Sequence, residues 1–210
     1  MKHALAERAA AWLDELGKIS DSPEGLVRTF LSPAHARAKR LVARWMTDAG
    51  LTVFEDQAGN LIGRLGCPDP DAPVIVCGSH LDTVRNAGRF DGALGIVAGV
   101  LAAEEITQRG LPRSRALEIV AFSDEEGVRF QTTYLGSRHY AGRLSASERS
   151  AKDADGISVD QAMAAHRPAF PAPPPRQAIA AYVDAHIEQG PVLEEAGLAL
   201  GVVTAIAGQT

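Results

Sequence analysis

The sequence predicts an α/β fold, a mixed, mostly parallel sheet flanked by helices, and three observations carry that expectation. Residues 74–77 and 116–122 are short runs without polar alternation, as strands covered on both faces require. Between them, residues 92–108 are rich in Ala, Val, Leu and Ile and stop at Gly110, the pattern of a buried helix. Ahead of both, residues 51–55 and 61–65 flank Ala58-Gly59-Asn60, which reads as a hairpin at the sheet edge.

The remaining elements follow in chain order. Leu5, Ala9, Trp12, Leu13, Leu16 and Ile19 recur at helical spacing, giving an amphipathic first helix. Ser32-Pro33 reads as an N-cap with Pro at the first helical position. Leu41, Val42, Trp45 and Met46 then form an apolar stripe, and Gly50 supplies the stop. Residues 164–178 contain Pro168, Pro171, Pro173, Pro174 and Pro175, so they form neither helix nor central strand and are expected as a surface excursion. A last strand is expected over 182–187, a short helix over 191–196 and the start of a further apolar strand over 201–209.

A chain of 210 residues readily buries one full core, so one main domain is expected. The formal net charge of −5 argues against a polyanionic partner such as nucleic acid and favours a small molecule. Lys2, Glu7, Arg8, Asp14 and Glu15 interrupt the N-terminal stretch, which excludes a secretory apolar core, and no later run is long enough to span a bilayer. A cytoplasmic protein without membrane contact is the expectation. Cys67 and Cys77 belong to no Cys-x-x-Cys pair and are read as reduced thiols, with Cys77 buried.

Chemistry is sought where strands end, because in open α/β sheets the ligand crevice lies beyond their carboxyl ends. His80 and Asp82 follow the first apolar strand and point the same way in extended chain, so the carboxylate can orient the imidazole. Asp91, between Phe90 and Gly92, either caps the following helix or bridges two cations through its two oxygens. Asp124, Glu125 and Glu126 follow the second apolar strand. They form either a solvated acidic turn or a charge cluster that cations would offset. His186 leaves the last expected strand, followed by Glu188 and Gln189. Together these are His and carboxylate ligands of the kind that metal-assisted hydrolysis uses.

Five ordered motifs carry a family resemblance: residues 78–84 (GSHLDTV), 90–92 (FDG), 125–130 (EEGVRF), 136–138 (GSR) and 186–191 (HIEQGP). They resemble the hydantoinase/carbamoylase branch of the zinc-dependent aminoacylase-type metallohydrolases, from the second helix to the last residue. The resemblance implies a zinc-peptidase-like catalytic domain with two divalent metal ions, Zn or Mn. It implies that His80, Asp91 and His186 hold one metal, while bridging Asp91 and Glu126 hold the other. Asp82 stands behind His80, Glu125 is the general base, and Gln189 contacts substrate or holds the 190–191 turn. Arg129 is read as structural.

Within the branch, residues 126–138 look most similar to allantoate amidohydrolases, which release ammonia from a ureido substrate. N-carbamoyl-L-amino acid hydrolase is the alternative, and an inactive truncated remnant of either is the competing reading from another class. Members of the branch are about twice this length. Residues 1–200 therefore correspond to the N-terminal part of the catalytic domain, and 201–210 to the start of a lid and dimerisation domain. The family homodimer forms through that domain.

Overall fold

The computed structural model describes residues 2–206. Helix α1 (Lys2–Leu16) is followed by α2 (Pro33–Asp48), β1 (Thr52–Glu55), β2 (Leu61–Leu65), β3 (Val74–His80), α3 (Ala93–Gln108) and β4 (Leu117–Phe122). Three short helices come next, α4 (Leu135–Tyr140), α5 (Ala146–Ser150) and α6 (Val159–Ala165), then β5 (Ile179–Val183) and α7 (Val192–Glu195).

The strands form one mixed sheet in the order β1-β2-β4-β3-β5. β1 and β2 pair antiparallel, as do β2 and β4, whereas β3 runs parallel to both β4 and β5. The hairpin thus supplies the antiparallel edge, and the β3–α3–β4 crossover supplies the parallel half.

Period-two alternation sorts the strand side chains between two cores. Leu61, Leu65, Ile119 and Ala121 face α1, α2 and α3, where Ile96, Val97, Val100, Leu41, Val42 and Met46 complete the main cluster. Trp12 and Trp45 stack face to face at 4.5 Å and join α1 to α2. Ile62, Val74, Val76, Val120 and Phe122 face the other side. There the mid-strand acid Glu118 accepts from Arg64 at 2.8 Å and from the Tyr140 hydroxyl at 2.6 Å, which satisfies its buried charge.

The caps of α2 are those the sequence specifies. The Ser32 hydroxyl accepts from the His35 N–H at 3.1 Å, and Gly50 takes φ +87° directly after the last turn. Helices α4 to α6 were not anticipated. α4 and α6 pack Leu135, Val159, Ala162 and Met163 against Phe30 and Phe130 in a satellite core, while α5 buries no residue. Their signal was nonetheless present, since Ser145/Glu148 and Ser158/Gln161 both form capping boxes.

Two strands and the burial of one cysteine differ from expectation. The last strand is Ile179–Val183 rather than 182–187, because pairing to β3 ends at Cys77↔Val183 and the chain then leaves the sheet. Residues 201–206 have no regular structure, and the rest of the strand expected to 209 lies outside the described residues. Cys77 is half-buried rather than buried, since β5 covers β3 with a strand whose own residues are all exposed.

The proline-rich segment runs over the surface but is tied at both ends. The Glu55 side chain forms an ion pair with Lys39, meets His166 Nε2 at 2.8 Å and accepts from the Ala169 N–H at 2.7 Å. At the far end Val74 N–H donates to the Ala178 carbonyl at 2.8 Å. The carboxylate and sheet-edge groups hold this segment because its prolines cannot donate backbone hydrogen bonds.

His35 lies beside this ion pair, fully buried, with both ring nitrogens unpartnered. Burial, assisted by the nearby charges of Lys39 and Arg28, holds its pKa well below the ordinary histidine value. The unfolded chain therefore binds a proton below about pH 6.5 that the native state refuses, so stability falls with acidity by up to about 1.4 kcal/mol per pH unit. His35→Leu should flatten that part of the stability curve, measured by urea unfolding between pH 7 and pH 5. An unchanged slope would contradict this assignment.

Candidate metal centre

The parallel half of the sheet brings the sequence-selected residues to one edge. His80 is the last residue of β3 and pairs with Phe122, the last of β4, so the chain enters Ser123–Glu126 beside the imidazole. Cys77 pairs with Val183 as the last pair of β3 and β5, and the chain beyond it brings His186 beside His80. The two rings lie 5.8 Å apart, tilted by 25°.

Both histidines present the same nitrogen. His80 Nδ1 lies 3.0 Å from the Asp82 backbone carbonyl and His186 Nδ1 lies 2.9 Å from the Ile187 carbonyl. Each contact assigns the N–H to Nδ1 and leaves Nε2 as the ligand atom. Those Nε2 atoms sit 3.6 Å and 3.1 Å from the same oxygen, Asp91 Oδ1. The other Asp91 oxygen accepts from the Gln189 amide at 2.9 Å. Gln189 thus meets the oxygen that a bridging role would give to a second cation.

Gly92 explains why Asp91 can stand so close. Its φ is +64°, and a Cβ there would fall 2.6 Å from the His80 ring, so only glycine admits the approach. The helix α3 that follows has no side-chain cap, so capping by Asp91 is not what the structure shows.

The Asp82 carboxylate lies 3.5 Å from His80 Nδ1, behind the ring as expected, and the Asp82 carbonyl lies nearer. The two carboxylate oxygens also accept the backbone N–H groups of Glu125 at 2.9 Å and Glu126 at 3.1 Å. One buried carboxylate therefore ties the end of β3 to the acidic turn after β4.

Two groups of ligand atoms converge among the described residues: His80, Asp91 and His186, and His80, Glu125 and Glu126. His80 belongs to both. Glu126, expected to share a metal with Asp91, is grouped with His80 and Glu125.

The electrostatics suit a cation. Burial and the charge of Asp82 push Asp124 up to about 8, against a backbone hydrogen bond from Leu135. Glu125 and Glu126 are raised by burial, and by neighbouring carboxylates against the opposing charge of His80. Burial alone would lower His80, but the Asp82 contact and the charges of Asp82 and Glu125 outweigh it and raise the imidazole to about 9. Hard carboxylate oxygens plus two imidazole nitrogens, in surplus negative charge, form a donor set that fits Zn²⁺ or Mn²⁺. The same carboxylate excess is what a divalent ion would offset.

Residues 76–206 match the peptidase family M20/M25/M40. The chain belongs to that family. It is 47% identical to an N-carbamoyl-L-amino acid amidohydrolase of Geobacillus stearothermophilus, over 96% of this chain and 51% of the relative. It is 44% identical to allantoate deiminase 2 of Glycine max, over 98% of this chain and 44% of the relative. A crystal structure of a hydantoinase/carbamoylase family amidase from Burkholderia ambifaria superposes with a TM-score of 0.79 at 37% identity. That match covers 91% of this chain and 47% of the other. The chain thus spans about half the length of the relatives it matches. The mixed open sheet with flanking helices is the fold of these amidases, as the motifs had implied.

Sequence reasoning overlooked two buried residues that hold this centre. Asn60 reads as a turn residue. In the structure its amide oxygen accepts from Ser123 N–H at 2.9 Å, and its amide nitrogen donates to Asp56 and to the Gly136 carbonyl. Gly136 is required there, because a Cβ would fall 2.7 Å from the Asn60 oxygen. Arg28 is the other, and its only sequence signal is a lone cation in an otherwise apolar stretch. No described helix is long and apolar enough to cross a membrane.

Proposed function

We propose that this chain carries the metal-binding half of a two-metal hydrolase of linear amide or ureido C–N bonds. Allantoate is the favoured substrate, with release of ammonia. The convergence of His80, Asp91 and His186 beside Glu125 and Glu126 supports the reading, because it joins a cation site to a carboxylate that can move a proton. The similarity to allantoate deiminases and to N-carbamoyl-L-amino acid amidohydrolases supports the ureido group as the common substrate feature.

The residues divide the work as follows. His80, Asp91 and His186 hold one divalent ion, and Glu126 contributes to a second. When bound, such ions supply Lewis acidity and lower the pKa of attacking water. Glu125, raised by burial toward the working range of a general base, takes the proton of that water and returns it to the leaving nitrogen. Gln189 stands beside Asp91 and offers its amide to substrate.

N-carbamoyl-L-amino acids are the second reading, favoured by the 47% identity to the Geobacillus relative. Residues 1–200 are read as the N-terminal part of the catalytic domain and 201–210 as the beginning of a lid and dimerisation domain. The exposed apolar residues of β5, and Leu200, Val202, Val203 and Ile206, support further structure packing there. In the whole protein that domain would form a homodimer.

The test is ammonia release by the Mn²⁺- or Zn²⁺-supplemented chain, from allantoate and from N-carbamoyl amino acids. Faster release from allantoate is expected. Faster release from the carbamoyl substrates would select the second reading, and metal uptake without turnover of either by a chain carrying the lid and dimerisation domain would mark an inactive remnant.

A further inference from the structure

Arg28 is among the largest fully buried side chains, 1% exposed, and a guanidinium so placed forfeits its hydration. Among the described residues, every hydrogen bond of that guanidinium goes to a backbone carbonyl. Nε donates to Leu81 at 2.7 Å, and Nη1 donates to Leu16 at 3.2 Å and Ile19 at 3.1 Å. The Arg28 backbone is bound to the same turn, its N–H donating to Thr83 Oγ1 and its carbonyl accepting from Thr83 N–H, both at 2.9 Å. One residue thus grips 81 and 83 and fastens them to the chain that leaves α1.

The gripped turn is the one the metal centre depends on. Leu81 separates His80, whose ring is set by the Asp82 carbonyl, from Asp82, whose carboxylate sets the Glu125 and Glu126 backbone. A shift of the Leu81 carbonyl therefore moves a ligand, the proposed base and the second acid together. A carbonyl-binding role alone does not require a cation. Burial lowers the guanidinium to about 10, against the opposing charges of Asp82 and Asp21, so it stays charged at neutral pH beside the acidic cluster.

We propose that Arg28 is a positioning residue of the metal centre, fixing the 81–83 turn from behind and through it the His80 ring and the Glu125–Glu126 backbone. This rests on the reading of His80, Asp91 and His186 as metal ligands.

The test is Mn²⁺ binding to the 210-residue chain by calorimetry, together with the visible absorption of the Co²⁺-loaded chain. Arg28→Met keeps the reach and bulk of the stem without the fork. It should bind Mn²⁺ about 10–100-fold more weakly and shift the Co²⁺ band. Arg28→Lys should recover only part of the loss, because one ammonium cannot reproduce the planar fork across three carbonyls. A purely structural role would lower the melting temperature and leave the dissociation constant and Co²⁺ band unchanged, and that result overturns the proposal.

Should Arg28→Met fail to fold, Thr83→Val and Thr83→Ser decide. Val, which removes the acceptor of the Arg28 N–H, should weaken binding while Ser preserves it, and equal affinities overturn the proposal. His80→Ala separates the two possible failures. If it binds Mn²⁺ as the unaltered chain does, the ligand reading itself is wrong; if it loses Mn²⁺ while Arg28→Met does not, only the role of Arg28 is wrong.

Discussion

His80→Ala should strip the metal held with Asp91 and His186, lowering the metal content per chain measured by elemental analysis. The reason is geometric. His80, Asp91 and His186 are three converging ligand atoms, so the loss of His80 leaves only Asp91 with His186. Two ligands do not make a site for an ion that takes four or more. An unchanged metal content would remove His80 from the ligands.

The pH dependence of uptake follows from the same imidazole. In the metal-free chain His80 holds its proton up to about 9. Binding must displace that proton, so affinity should rise from pH 6.5 to pH 9 and uptake should release acid. Calorimetry in buffers of different ionisation enthalpy measures the proton count.

The second large effect is expected at Glu125. In a full-length protein, Glu125→Gln preserves the shape of the side chain but cannot accept a proton, so turnover of a ureido substrate should fall by about 10²–10⁴-fold. Metal content should stay near that of the unaltered chain. Glu126→Gln should instead reduce metal content first and turnover as a consequence. Their backbone N–H groups are held by the two oxygens of one carboxylate, so the paired substitutions compare two side chains on one fixed turn. Substantial activity in Glu125→Gln would remove it from the role of base. Because burial raises Glu125, the acid limb of the activity profile should lie above the ordinary glutamate range.

Much of this was legible in the sequence because it rests on local patterns. Unalternating apolar runs gave β3 and β4, the Ser32-Pro33 cap and Gly50 stop gave α2, and polar residues placed after those runs pointed to His80, Asp91, Glu125, Glu126 and His186, which the fold brings near one another. Helices α4 to α6 escaped because they are short and half-exposed, with the stability of α4 and α6 drawn from the Phe30 and Phe130 satellite core rather than from an amphipathic stripe. The end of β5 escaped because pairing with β3, not composition, decides where that strand stops.

By itself the sequence determined which residue types follow each strand, since residue spacing and apolar runs are local properties of the chain. Tertiary structure alone decided how they are held. The chain beyond the last β3–β5 pair brings His186 beside His80, and Gly92 admits Asp91 to both rings. The Asp82 carboxylate grips the acidic turn, and Arg28, more than fifty residues away in the chain, grips the turn beneath it. These contacts join segments distant in sequence, and such contacts leave no local periodicity to read.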